Sequence, residues 1–560
     1  MRQLYQTISV VCLLSMALLF SAPPDPAYAA TINVDGTTCT LADAITSAND
    51  DTATGGCSGG SGADVLNLTN NINLTAILPD ITSDITIESN GYTIAGNNSF
   101  RILTVAGSGT LTLNNATVTN GAALGGFPNN NGGGILVNSG GTATLNNSTI
   151  SSNSASANGG GVHCSTCTLN LNNSTISANT ARVGGGINVV GASTVTVFNS
   201  TISGNLADDN GGGIAKVFGD GTISINFSTI TNNTADTNSS GTGNGGGIFA
   251  NSNTTIQNSI VQGNTNNAGA ATADCSSSTN VSSLGYNVVG ATTGCPSGGT
   301  GDTTDAANLG LLQNNGGATL THMPGATSAA IDRIPVATSG CETTVAADQR
   351  GVARAQDGDA DNTAACDSGA VEYLLTLCSI TTGVDYTYGE VIIHFDDLTN
   401  TNLACLSVEY VDGNHPNATS SDSNDALETG RYWRINGFQS DGVTPATGTF
   451  RVDVTLPYAD ADENSRACKW LEGVGPDFGW DCGTNLDNSA SAGAVTRNNY
   501  MGGFSDWAVG DNVGPTAVSL QSITTIGQQE GLAALMATLL TALSGIWLWA
   551  RRPGQAKREA

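Results

Sequence analysis

Asp357-Gly-Asp359-Ala-Asp361 places three carboxylates at alternate positions of a short turn. Alternation of this kind lets hard oxygens converge, which is what Ca²⁺ requires. Position 12 of an EF-hand loop would be a bidentate Glu; Ser368 stands there, and Asp367 at position 11 is the residue that would substitute. The chemistry implied is a structural calcium site built from Asp357, Asp359, Asp361 and Asp367. A plain acidic, solvated loop is the other reading of the same residues.

A second group with chemical potential is His163-Cys164-Ser-Thr-Cys167. CxxC spacing suits redox or metal chemistry, but no second CxxC accompanies it and no helix is at hand to lower a thiol pKa. A local disulfide is the simpler reading. The pair Asp208-Asp209 precedes a triple glycine and reads as a solvated turn. Arg182 and Lys216 stand without nearby acids in the sequence and read as surface side chains. Four histidines are scattered over separate segments, so no Ser-His-Asp order can be argued.

What must position these residues is a repeat. GGGI occurs at 132–135, 184–187, 211–214 and 245–248, with GGGV at 159–162. Between them recur NNSTISSN (146–153), NNSTISAN (172–179), FNSTISGN (198–205) and FSTITNN (227–233). A fixed period of this size marks a solenoid. The unit is poor in helix formers, and TATLNNSTI and TVTVFNSTI alternate polar with aliphatic residues, the period of a strand. The sequence therefore predicts an all-β fold whose main body is a parallel β-helix. Ile150, Ile176, Ile202, Ile230 and Ile260 should form one inward ladder, and Ile135, Val162, Ile187, Ile214 and Ile248 another. Asn153, Asn179, Asn205 and Asn233 follow the first ladder by three residues and should stack.

The GGGI and I-x-x-N pairs resemble the GGAI and FxxN repeats of chlamydial polymorphic outer membrane proteins, and more broadly bacterial right-handed β-helix surface proteins. CTLADAI (39–45) is similar to the CSLREAI motif of exported β-helix proteins, with Ala42-Asp43 in place of Arg-Glu. Residues 308–332 and 347–372 resemble the choice-of-anchor Q end-module. The resemblance rests on Leu309, Asn315-Gly316-Gly317, His322, Asp332, Asp348-Gln349-Arg350-Gly351, Asp367 and Gly369-Ala370-Val371-Glu372. It implies a surface-exposed, anchored protein and names no reaction.

Residues 1–29 read as a secretory signal peptide with an Ala27-Tyr28-Ala29 cleavage site. Of 13 cysteines, Cys12 lies in that leader. The remaining twelve fall into sequence-local pairs suited to an oxidising compartment. The candidate pairs are Cys39 with Cys57, Cys164 with Cys167, Cys275 with Cys295, Cys341 with Cys366, Cys378 with Cys405, and Cys468 with Cys482. Connectivity stays open at the level of sequence. A net charge of −29 argues against nucleic acid and polyanionic substrates. Between 101 and 270 the acids are only Asp208, Asp209, Asp220 and Asp236, and the bases only Arg101, Arg182 and Lys216.

The expected order is a cap and first coils (30–110), β-helix repeats (111–300), a solenoid-closing module (301–374), a β-sandwich (375–512), a polar spacer (513–530) and a transmembrane or sorting helix with a basic tail (531–560). Gly531 to Ala550 carries no charge and Arg551-Arg552 follows. In the sandwich, Trp433, Trp470, Trp480 and Trp507 read as packing residues before a sugar platform. The function expected is an exported, surface-anchored, non-catalytic protein of adhesion or surface structure. Its partners would be the cell envelope through the C-terminal segment and an extracellular glycan or a protein on a host or neighbouring cell. The alternative is a β-helix polysaccharide lyase or hydrolase. Such sites need clustered carboxylates, and the NTD, GHG and RIK motifs of polygalacturonase-type sites are missing.

Overall fold

The fold is described from a computed structural model. It covers residues 29–511 except 127–128, 277–279, 291–293, 360, 362, 413–414, 416–425, 428–430, 441–443, 472–478 and 484–485. The expected signal peptide (apart from Ala29), polar spacer and C-terminal apolar segment lie outside the described residues. Among those described, no helix is long and apolar enough to cross a membrane. Two compact units divide the chain, Met1–Leu375 and Thr376–Ala560.

The first unit is a parallel β-solenoid. One coil runs Thr168–Asn172, Thr175–Ser177, Thr180–Val183 and Ile187–Val190. Stacking such coils gives a ten-stranded sheet, a nine-stranded sheet and two six-stranded sheets, all parallel. Alternation sends Leu169 and Leu171 inward and Thr168, Asn170 and Asn172 outward. Ile150, Ile176, Ile202 and Ile230 stack in register, as do Ile135, Val162, Ile187, Ile214 and Ile248. All nine are fully buried, each contributing roughly 1.5–3 kcal/mol by burial. The first ladder differs from expectation at one step. Val261, not Ile260, pairs with Ile230, because Ile260 takes the outward position beside Thr229.

The triple glycines have two separate steric causes. The first glycine of each is left-handed, at φ +65° to +69° (Gly132, Gly159, Gly184, Gly211, Gly245). The next two leave no room for a Cβ: at Gly185 it would lie 2.4 Å from Leu206 O, and at Gly186 2.6 Å from Gly213 O. The corner between the ten- and nine-stranded sheets is also left-handed, with Asn115, Asn147, Asn173 and Asn199 at φ +49° to +53°. Asn tolerates this region better than most residues, so the repeated Asn is a backbone requirement.

Leu41–Asp50 forms a helix capped by the Thr40 hydroxyl, which accepts from Asp43 N at 3.1 Å. Its Leu41, Ala44, Ile45 and Ala48 join the apolar core of the first coils. At the other end, Val288 bridges Thr303. From there the chain turns back along the flank. Thr319 donates to Asn173 O, Asn199 to Ala347 O, Ala370 N to Thr229 and Ser368 to Tyr286 O. Residues 301–374 therefore brace the side of several coils, where an end-closing module was expected. The reason is chemical: on the outer face of the nine-stranded sheet Thr175, Thr201, Ser203 and Thr229 bond to Leu320 O, Gln349, His322 and Ala370 N, and Ile260 and Val288 pack on Ala307 and Ala330.

The second unit holds two antiparallel sheets. The longest strands are Val391–Thr401, Cys405–Asp412, Arg431–Phe438, Gly448–Pro457 and Ala494–Gly502. Trp433, Trp470, Trp480 and Trp507 are all buried, so none offers an open platform. Tyr500 meets Trp507 edge to face at 5.3 Å, joining one sheet to the other.

All six sequence-local cysteine pairs are joined as disulfides. Cys39 to Cys57 holds the start of the capping helix against the loop that follows it, and Cys164 to Cys167 closes a turn within one coil. Cys275 to Cys295 ties the last coils together. Cys341 to Cys366 links two stretches of the returning segment. In the second unit, Cys378 to Cys405 joins neighbouring strands, and Cys468 to Cys482 does the same beside the buried Trp470 and Trp480. Crosslinks of this kind limit the unfolded chain more than they add contacts to the folded one.

Candidate functional site

The returning segment of the first unit buries Asp348, Arg354, Asp367 and Glu372 within a short stretch of chain. Arg354 and Glu372 form an ion pair at 3.0 Å with neither side chain exposed. Arg354 also donates to Gly369 O and Asn199 Oδ1 and lies over the Phe227 ring at 4.3 Å. Asp348 and Arg350 pair at 2.7 Å beside them. Burial pushes the Glu372 carboxyl up to about 7, against the opposing pull of Arg354. Asp367 is raised as well, first by burial and then by Glu372.

Asp357 and Asp359 converge on Asp332, with one ligand oxygen from each within 4.8 Å of the others. Asp332 Oδ2 accepts from Gly358 N and Asp359 N, both at 2.9 Å. Its Oδ1 is buried without a hydrogen-bond partner. Burial, joined by repulsion from Asp359, Glu372 and Asp357, raises Asp332 to about 8. Three carboxylates and an unmatched buried oxygen fit a hard cation such as Ca²⁺. The other two sequence candidates do other work. Asp361 accepts from Thr363 N, and Asp367 holds Asp332 N and Tyr373 N. Asp332 lies 25 residues before Asp357 and carried no local spacing signal.

Ser203 and His322 were not paired by sequence reasoning. The Ser203 hydroxyl lies 2.7 Å from His322 Nε2, and His322 Nδ1 lies 2.7 Å from Gly310 O. A proton on Nδ1 would leave Nε2 as acceptor, which is nucleophile-and-base geometry with a carbonyl as orienting group. Both residues are only 2 % exposed. Burial lowers the His322 pKa, keeping the ring neutral. So enclosed, the pair clamps the returning segment to the solenoid.

Of Lys216 and Arg182, both expected at the surface, one is not there. Lys216 is fully buried, not a surface residue. It occupies the inward row of Val137, Cys164 and Val189, and its Nζ reaches the turn at Gly219 O, Gly221 O and Ser252 Oγ. Arg182 is exposed but not without an acid, since it pairs with Asp209 at 2.8 Å. Asp208 accepts from the Thr237 hydroxyl. His163 is buried, and that burial lowers it to about 4. Its neighbour Cys164 is bonded to Cys167, so neither sulfur is a free thiol.

The ten-stranded sheet has the most strands of the solenoid's four sheets, and its outer face is regular. Its middle row reads Thr86, Thr112, Thr144, Asn170, Thr196, Ser224, Thr255 and Ser282. A parallel row holds Thr110, Thr142, Thr168, Thr194 and Thr222. Strands about 4.8 Å apart repeat these groups at a constant interval. From Thr110 to Asn226 the outward side chains of this sheet carry no charge.

Comparison with known proteins bears on the fold alone. No curated protein matches the chain. A crystal structure of pectate lyase Pel9A is similar at 12% identity and a TM-score of 0.35, covering 62% of this chain and 98% of that one. Residues 101–283 match the family model described as "Right handed beta helix region", and the solenoid built by those residues is that of a β-helix protein.

Proposed function

We propose that this chain is an exported, cell-surface-anchored β-helix protein that works in adhesion or surface structure without catalysing a reaction. The observation that carries the reading is the uncharged, Thr/Asn-rich face of the ten-stranded sheet between Thr110 and Asn226, on a chain whose net charge is −29. A flat array of hydroxyls and amides suits many weak hydrogen bonds to a neutral glycan on another surface. The resemblance of residues 308–372 to an end-module of anchored surface proteins points the same way. A lyase would need a free basic side chain on a coil face. Lys216 directs its protons to two carbonyls and a hydroxyl inside the coil, and Arg182 is held by Asp209.

In the same reading, the carboxylates of Asp332, Asp357 and Asp359 hold a structural Ca²⁺ that fixes the returning segment. The test is to incubate the purified protein with neutral and acidic polysaccharides, with and without calcium. Retention without soluble products supports the proposal, and product release contradicts it.

A further inference from the structure

Phe198 breaks the rule of its own repeat. In the ten-stranded sheet it stands in register with Asn172 on one side and Asn226 on the other, and Asn146 and Asn114 continue the row. The amides of that row bond to one another, Asn172 to Asn146 and Asn146 to Asn114, each at 2.9 Å. Phenylalanine cannot join such a ladder. It is only partly buried, with one side packed on the cluster of Phe227, Ile334 and Cys341. The remainder lines a cleft of about 460 Å³.

One side of that cleft is Asn147, Asn173 and Phe198, and the other is the returning segment at 344–351. The cleft presents no net charge, because its two ionic residues neutralise each other. Asp348 and Arg350 pair at 2.7 Å with side chains no more than 4 % exposed. Asn199 is also engaged, with Asn173 Oδ1, Ala347 O and Arg354. The Asn147 side chain and the amide nitrogen of Asn173 are not engaged in this way, and both residues border the opening. An aromatic face beside amides, in a volume typical of small-ligand sites and without net charge, is the chemistry that recognises a neutral saccharide. The ring would take the apolar C–H face of a sugar, and the amides its hydroxyls.

We propose that this cleft is a binding site for a short stretch of neutral saccharide chain, with Phe198 as platform and Asn147 and Asn173 as hydrogen-bonding groups. The proposal rests on the glycan-contact reading above and gives it a location. It places selective recognition at the corner where the returning segment meets the coils, beside the flat face that gives only repetitive contact.

The test uses the whole protein and isothermal titration with cellohexaose, xylohexaose, mannohexaose and maltohexaose, with hexagalacturonate as the charged comparison. Two variants probe the site. Phe198→Asn restores the residue its register neighbours carry, so the ladder is kept while the ring is lost. Asn147→Gly keeps the left-handed corner (φ +49°) and removes the amide. The expected result is binding of at least one neutral hexasaccharide, weakened about two- to tenfold by Phe198→Asn, as loss of a stacking contact implies. Asn147→Gly should weaken the same ligand with a thermal midpoint close to the parent's, while Phe198→Asn, which also gives up packing on Phe227 and Ile334, should melt lower but still cooperatively. Equal binding by parent and variants would overturn the cleft while leaving glycan contact intact. Preference for hexagalacturonate would overturn the neutral class. A parent that binds no hexasaccharide and retains no polysaccharide would overturn both the cleft and the reading beneath it.

Discussion

Arg354 Nη2 donates to Asn199 Oδ1 at 2.8 Å across 155 residues of sequence, tying the returning segment to a corner of the solenoid. The same guanidinium neutralises Glu372 and covers Phe227, a residue held at φ +47° where the repeat elsewhere uses Asn. One buried side chain thus joins three elements. Phe227 in a left-handed corner is costly on its own, and the stacked guanidinium gives its ring a buried role there.

Removing that guanidinium should be strongly destabilising. Arg354→Leu would leave Glu372 buried without its counter-charge, a change that costs about 3–5 kcal/mol. Chemical denaturation of the first unit's transition would read the loss. The double variant Arg354→Leu with Glu372→Leu should recover part of it, since the stranded carboxylate is gone. Equal stability of the two variants would contradict the account.

The buried asparagine ladder makes a second prediction. Asn205 accepts from Asn179 N and Nδ2, both at 3.0 Å, and donates to Ile176 O and Asn233 Oδ1. Asn205→Ala would leave buried groups on two neighbouring coils unmatched, at about 1–3 kcal/mol each. Amide hydrogen exchange should show the loosening centred on the coils of Asn179 and Asn233. An exchange pattern unchanged at those coils would count against the ladder.

The asparagine and isoleucine ladders could be read from the sequence because one residue type recurs at one place in each coil. The cysteine pairs could be read too, because each partner is close in sequence, from Cys164 with Cys167 at 3 residues to Cys378 with Cys405 at 27. The step from Ile230 to Val261 could not, because two adjacent aliphatics, Ile260 and Val261, compete for the inward slot. Lys216 lies two residues after the ladder residue Ile214, a parity that directs it inward. Reading it by charge alone hid that signal. Asp332 and the Ser203–His322 clamp depend on where the returning segment crosses the coils, which no local pattern encodes.

The carboxylate cluster predicts a pH effect with a definite sign. Asp332 is raised in the folded chain from 3.8 to about 8, so the folded state holds its proton more tightly than the unfolded chain does. Without a cation, stability should therefore fall as pH rises from about 4 towards 8. Bound Ca²⁺ would compensate the charge and remove that loss. Melting temperatures in EDTA and in calcium should agree near pH 4 and separate as pH rises. Asp332→Asn should abolish the separation. Parallel curves with and without calcium would dismiss a cation at Asp332, Asp357 and Asp359.

Lys216 offers a further check. Its Nζ serves Gly219 O, Gly221 O and Ser252 Oγ, so Lys216→Ala should cost about 1–3 kcal/mol through the lost donors and the space left in the core. Polysaccharide retention should be unchanged, because the side chain does not reach the outer face. Lost retention by a folded Lys216→Ala protein would contradict its structural role.

The most direct test of the central claim is to mix the purified protein with insoluble and soluble neutral polysaccharides and assay both depletion of protein and release of reducing or unsaturated ends. Depletion without released ends is the predicted result. Released ends from any of these polymers, lost when Asp208, Asp209 or Arg182 is replaced, would contradict the claim and identify an enzyme.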